Sequence, residues 1–181
     1  MGLFYTGKGD GGKSVVGKKK IDKTSLIART VGELDELNSL IGLVKAQKIS
    51  HEFMDIFNHV QENLFIVQAN VANFMFDGKY KPKVFGADKV KEIETIIDKF
   101  EASVNPAKAF IIPGGTLSSA WIDYIRTVSR RIERTVLEFN KKNKLTPEIL
   151  AYLNRLSSLF FAMARMASKN ARIKESHPKY K

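Results

Sequence analysis

Apolar residues along this chain recur at a helical period. Trp121, Ile125, Val128, Ile132, Val136 and Phe139 follow one another at three- and four-residue steps, which predicts an amphipathic helix ending near Asn140. Pro113-Gly114-Gly115 breaks the chain before it, and Thr116 or Ser118 stands ready to cap its first turn. The opposite face carries Arg126, Arg130 and Glu133, flanked by Arg131 and Arg134. Ile122 and Leu137 fall on that same charged face, which is unusual for a side meant only for water.

The same period predicts four more helices. Thr24 to Gln47 carries Ile27, Leu34, Leu37, Ile41 and Val44 on one side. Across from them run Ala28, Val31, Gly32, Asp35, Ser39 and Gly42, a line of mostly small residues holding one acid. Each helical glycine costs about 1 kcal/mol relative to alanine, so close approach of another chain or a ligand is expected there. His51 to Phe76 points Phe53, Ile56, Phe57, Val60, Leu64, Val67, Val71 and Phe74 inward, with His51 and His59 as surface residues. A loop, Asp77 to Phe85 with Gly78 and Pro82, leads to a shorter helix, Ala87 to Ala102, built on Val90, Ile93, Ile97 and Phe100. Ser103 to Gly115 is a second loop with Pro106 and a short apolar run, Phe110-Ile111-Ile112, expected to dock on the body.

Thr146 and Pro147 start the last helix, which is apolar almost all round as far as Ala167. Such a helix belongs in the middle of a bundle. Asn154, Ser158 and Arg165 interrupt it along one line, a buried polar line in need of partners, while Arg155 lies off the line near the surface. No strand-period segment is evident. The expected fold is all-α: a five-helix antiparallel bundle with a Gly/Lys-rich N-terminal loop, residues 1–181 forming a single domain.

Composition narrows the class. An apolar content of 44% and a charged content of 27% belong to a globular chain, and no apolar run reaches the ~18 residues of a membrane span. The absence of cysteine excludes disulfides and thiolate metal sites and fits a cytoplasmic protein. The net charge of +11 is concentrated at the ends: residues 1–23 contribute +4 and residues 165–181 contribute +5. That balance suggests an anionic partner (nucleotide, nucleic acid or acidic membrane), against the alternative of basic ends that only solubilise the chain. A nucleic-acid binder would carry its charge as a stripe on one helix among stacking aromatics, and this chain does not.

Two features bear on the anion. Residues 1–23 lack a helical period and form a loop, in which Gly7 to Ser14 satisfies the string G-x-x-x-x-G-K-[ST]. No buried strand precedes it and no parallel sheet surrounds it, so a P-loop is rejected. What remains is a run of glycines whose N–H groups can converge on an anion, with Lys8 and Lys13 adding charge and Asp10 serving as a turn former or a ligand on the metal side. The second feature is the arginine face: closely spaced guanidiniums match phosphate or carboxylate, against the alternative of a solvated face with i,i+4 pairing.

Four segments, in the same order, resemble the helical-bundle ATP:cob(I)alamin (corrinoid) adenosyltransferases. YTGKGDGGKS resembles the family's Y-T-[RK]-x-G-D-x-G-x-[ST] nucleotide loop, and VGELDELNSLIG its first-helix signature. FIIPGGTLSSAWIDYIRTVSRRIER and LAYLNRLSSLFFAMAR resemble its last two helices. The resemblance runs from about residue 4 to residue 167 and implies transfer of the 5′-deoxyadenosyl group of ATP to the cobalt of reduced cobalamin. It further implies a homotrimer with ATP held between adjacent copies. Thr6, Lys8, Gly9, Asp10, Gly12 and Ser14 would wrap the triphosphate and its Mg²⁺. Arg130 and Glu133 would line the nucleotide site, Arg131 would help with phosphate, and Asn154 would contact the adenosine. Arg126 would pair with Asp35 of a neighbouring copy, and Phe110 would stand in the corrin-facing pocket and exclude water. Gly7 stands where the family usually has a basic residue, and Ser158 where it usually has Asp. A catalytically weak nucleotide- or corrinoid-binding bundle is the alternative those two departures allow. Implied partners are ATP, a reduced corrinoid, further copies of the chain, a reductase and an adenosylcobalamin-dependent enzyme, with neither nucleic acid nor membrane. The basic tail, residues 170–181, matches nothing in the family pattern.

Overall fold

Five helices carry the structure, a computed structural model that describes residues 4–16, 19–47, 49–76, 80–105 and 109–180. Gly78 and Pro106, read above as loop residues, lie outside that set, as do residues 1–3, 17, 18 and 181 of the two basic ends. The helices are α1 (Leu26–Lys45), α2 (His51–Ala72), α3 (Ala87–Val104), α4 (Leu117–Asn140) and α5 (Pro147–Asn170). Each begins or ends where local chemistry dictates. The Ser25 and Ser50 side chains accept the N–H groups of Ala28 and Phe53 at the starts of α1 and α2. Thr116 and Ser119 exchange hydrogen bonds in a capping box that opens α4. Asn105, in the left-handed region at φ 47°, terminates α3 two residues beyond the expected Ala102.

Packing runs α2 on α1, α1 on α4, α4 on α5 and α5 on α3. The apolar α5 is therefore enclosed, with Tyr152, Leu153, Leu156, Leu159, Phe160 and Met163 buried. Asn63 Nδ2 donates to the Tyr152 hydroxyl at 3.2 Å, satisfying it inside the core. Burial pushes the Tyr152 phenol well above the usual tyrosine range, against the opposing effect of that hydrogen bond. Among the described residues no helix is long and apolar enough to cross a membrane.

Four expectations are corrected. Residues Lys13–Val16 (β1) and Lys19–Asp22 (β2) form a two-stranded antiparallel hairpin, with Ser14 opposite Ile21 and Val16 opposite Lys19. The strands are too short, and too mixed in lysine and valine, to show a period of two. On α4 the buried stripe is rotated: Ile122 is fully buried and belongs to the core, whereas Trp121 is half-buried. An apolar arc wider than 100° leaves a helical wheel unable to choose between adjacent residues at its edge. Helix α2 closes in a 3-10 turn, Asn73–Met75, which turns Phe74 partly outward and buries Met75 instead. Finally, Phe110 is 78% exposed and Ile112 half-exposed, so the apolar run is held by its backbone and not by burial.

Candidate functional site

Helix α4 positions the arginines, and its neighbours decide what each can do. Arg131 turns toward α1: Nη2 donates to both carboxylate oxygens of Glu36, at 2.9 and 2.8 Å, and Glu33 lies 3.7 Å from Nη1. That hydrogen bond to Glu36, reinforced by the charges of Glu36 and Glu33, holds the guanidinium above its ordinary range. Arg130 turns the other way, is exposed, and has no charged partner among the described residues. Its donors remain available to a ligand; those of Arg131 are engaged by α1.

Arg126 enters a buried charge ladder. Its Nε donates to Asp123 Oδ1 at 3.2 Å, and the other Asp123 oxygen accepts from Arg165 Nη2 on α5. Asp123 and Arg165 each leave only 4% of the side chain exposed. Beyond them Glu175 Oε1 lies 3.0 Å from Arg165 Nε, off the N–H direction but well placed for charge attraction. Acid and base therefore alternate through Arg126, Asp123, Arg165 and Glu175, which is what lets charged groups persist in a poorly solvated place. The Phe161 ring lies under both guanidiniums, 5.0 Å from Arg165 Cζ and 5.9 Å from Arg126 Cζ.

Between α3, α4 and α5 this ladder borders a cleft of about 450 Å³. Arg126 and Arg130 line one wall, Ser157, Ser158 and Phe161 a second, and Ile97, Phe100 and Val104 a third. A basic wall facing an apolar one suits a ligand with an anionic end and a flat apolar body. One turn further along both helices, Asn154 Nδ2 donates to Glu133 Oε1 at 2.7 Å. Asn154 Oδ1 in turn accepts from Arg155, whose Nε donates to Glu94 on α3 at 2.8 Å.

The polar line on α5 is thus only partly as expected. Asn154 and Ser158 are exposed, and Arg165 alone is buried; its partners, Asp123 and Glu175, were not anticipated. Asp123 was nevertheless legible as an acid three residues before Arg126 and seven before Arg130, on the arginine side of an apolar stripe. Asp35 is exposed on α1, and the carboxylate that Arg126 meets within the chain is Asp123. Among the described residues, and apart from its own helix backbone, nothing approaches within 4 Å of a Cβ built at Gly32, so no contact there offsets the cost of that glycine.

The entrance loop supplies the other half of the predicted set. Gly7 and Gly12 have φ of +66° and +77°, which require glycine, and turn the chain tightly enough for Gly12 N–H to donate to Gly9 O and Lys23 N–H to Gly12 O. Lys8 N–H points to Thr6 Oγ1 at 3.4 Å. Lys8, Asp10 and Lys13 are exposed and Ser14 half-buried. Asp22 closes the hairpin onto α1, accepting from both the amide and hydroxyl of Thr24, which holds its carboxyl below the usual range. No hydrogen bond or ion pair of residues 4–16 reaches Arg126, Arg130, Glu133 or Asn154 within one chain. The structure brings Glu133 to Asn154, and Arg126 to the same cleft as Arg130; it leaves the loop apart from them.

Comparison with known proteins shows the family and the fold. The family model described as cobalamin adenosyltransferase matches residues 4–167. A corrinoid adenosyltransferase of Bacillus subtilis (strain 168) is 35% identical over 94% of this chain and 89% of its own length. One from Citrobacter freundii is 32% identical over 92% of this chain and 95% of its own. Among solved structures, a variant PduO-type ATP:corrinoid adenosyltransferase from Lactobacillus reuteri, complexed with cobalamin and ATP, superposes with a TM-score of 0.88. It is 29% identical and covers 98% of this chain and 97% of that one. With a family model matching residues 4–167 and relatives more than 30% identical over nine-tenths of its length, the chain belongs to the cobalamin adenosyltransferase family.

Proposed function

We propose that this chain moves the 5′-deoxyadenosyl group of ATP to the cobalt of a reduced corrinoid, at a site completed between copies of the chain. The cobalt carries the electron pair that attacks the 5′ carbon; a Co–C bond forms, the C–O bond to triphosphate breaks, and triphosphate leaves. Because the nucleophile arrives with the corrinoid, the protein needs no general base. Its work is to hold the 5′ carbon in line and to stabilise negative charge gathering on triphosphate.

The observation that carries this reading is the contrast between Arg130, exposed and unpaired at the cleft, and its neighbours Arg126 and Arg131, already engaged by carboxylates. Arg130 meets the polyphosphate, while Glu133 and Asn154 hold the adenosine side. Thr6, Lys8, Gly9, Asp10, Gly12, Lys13 and Ser14 wrap the triphosphate from the entrance loop of another copy. A homotrimer accounts for the separation of loop and cleft within one chain, for Gly32 with nothing near it, and for Asp35 left open to pair with Arg126 of a neighbour. Phe110 faces the corrin. The residues fit a Mg²⁺ that arrives with the nucleotide: Thr6, Asp10 and Ser14 offer hard oxygens, and no group of three potential ligands builds an all-protein site among the described residues. Bound there, the ion would neutralise phosphate charge. The chain works as a single domain in the cytoplasm, supplied by a reductase and serving an adenosylcobalamin-dependent enzyme.

The test is an anaerobic mixture of reduced cobalamin, MgATP and the protein, followed by absorbance and by triphosphate release, with sedimentation in parallel. Stoichiometric conversion to adenosylcobalamin by a trimer is expected. Binding of ATP and cobalamin without conversion would leave only a binding bundle, and a fully active monomer would overturn the shared site.

A further inference from the structure

Residues 173–177 lie beyond the span matched by the family model, and they do not trail away from the body. Ile173 N–H donates to Ser168 O at 3.0 Å. The Ile173 side chain sits against Gly115, where a Cβ would fall 3.3 Å from Ile173 Cγ2 and 3.2 Å from Ser168 Oγ. A side chain at the second glycine of the Pro-Gly-Gly break would press on both α5 and the strap. Further along, Ile112 N–H donates to Ser176 O at 2.8 Å, and His177 Nδ1 donates to Phe110 O at 2.8 Å. Among the described residues these are the hydrogen bonds that hold Phe110–Ile112, and both come from the strap. The Phe110 ring is 78% exposed, so packing does not fix its place; its backbone does.

Glu175 sits between those two attachments. Its side chain is four-fifths covered, and its carboxylate faces the buried Arg165 guanidinium. An enclosed arginine whose partner Asp123 is itself shared with Arg126 gains from a second negative charge nearby, and the same contact ties the segment to α5.

We propose that Glu175 is a positioning residue for Phe110. By seating on Arg165 it pins the C-terminal strap, and the strap sets the backbone of Phe110–Ile112 and hence where the Phe110 ring stands. The consequence for catalysis rests on the reading, given above, that Phe110 faces the corrin. The strap itself does not.

The experiment compares wild type, Glu175→Gln and a chain ending at Arg172 by amide hydrogen exchange, and by steady-state turnover with ATP and reduced cobalamin varied separately. Exchange at Ile112 should rise about tenfold in both variants, with the α4 amide of Ile132 unchanged. The KM for cobalamin should rise about tenfold while that for ATP stays within about twofold. Glu175→Asp, which keeps the charge, should recover part of both changes. Unchanged exchange at Ile112 in the two variants overturns the strap. Faster exchange with an unmoved cobalamin KM, or an ATP KM rising in step, overturns the positioning of Phe110. Absence of transfer by the wild type, with Ile112 still exposed by Glu175→Gln, overturns the catalytic reading and upholds the latch.

Discussion

The charge ladder between α4 and α5 and the entrance loop ahead of α1 are both rich in charge, and they are built on opposite principles. In the ladder, Arg126, Asp123, Arg165 and Glu175 neutralise one another, and most of them sit on helices whose backbones are fixed by core packing. In the loop, Lys8 and Asp10 stand exposed on a glycine-rich turn and Lys13 at the start of β1, and the hydrogen bonds of this segment among the described residues stay within the hairpin. Holding a loop residue in one conformation costs about 1–2 kcal/mol, which local contacts alone offset poorly. The ladder is thus fixed by the packing of its helices, whereas the loop rests on its own short-range contacts. On the proposal above, rigid helices aim the 5′ carbon of ATP and the loop encloses the triphosphate.

The comparison can be broken at either end. Removing the centre of the ladder has the largest effect. Asp123→Ala leaves the Arg165 guanidinium buried with half its compensation, and the unfolding free energy in urea should fall by about 3–5 kcal/mol. A loss below about 1 kcal/mol would mean that water already solvates Arg165. Arg130→Ala should do the reverse. It lowers turnover at saturating ATP by an amount worth about 2–4 kcal/mol in the transition state. Stability should move by no more than about 0.5 kcal/mol, because the side chain is exposed and makes no ion pair among the described residues. Turnover within tenfold of wild type would remove Arg130 from its role. The smallest effect belongs to the loop side. The Thr24 amide and hydroxyl hold the Asp22 carboxyl below its usual range, so the turn into α1 gains from the carboxylate at all pH values above the ordinary aspartate pKa. That gain is lost only as pH falls through the lowered folded value. The Thr24 amide proton, followed by NMR on acidification, should shift below the ordinary aspartate range; a midpoint at the ordinary value would show that the turn is not held by Asp22.

Much of the site was legible because helices announce themselves locally. The period of α4, the Thr116 cap and the Thr146-Pro147 start of α5 are one-dimensional signals that place Arg130, Glu133 and Asn154 on their helices; the nucleotide roles proposed for them rest on the family resemblance and not on register. The entrance loop was legible as a motif but not as a hairpin, since pairing Lys13 with Asp22 depends on two short strands meeting in space. Arg165 was recognised as a polar residue in an apolar helix. Its partners were not, because 42 residues separate it from Asp123 and no periodicity links one helix to another.

The order of hydrophobic and polar residues by itself determined five helices, most of their starts and the enclosed place of α5. Only the folded chain decided which arginine is free and which is spent on a neighbour, and that Glu175, near the C-terminus, reaches Arg165 beside the cleft. The physical reason is range. Helix propensity, capping and amphipathic period act within a few residues of sequence, whereas an ion pair is set by distance in space, which only packing supplies.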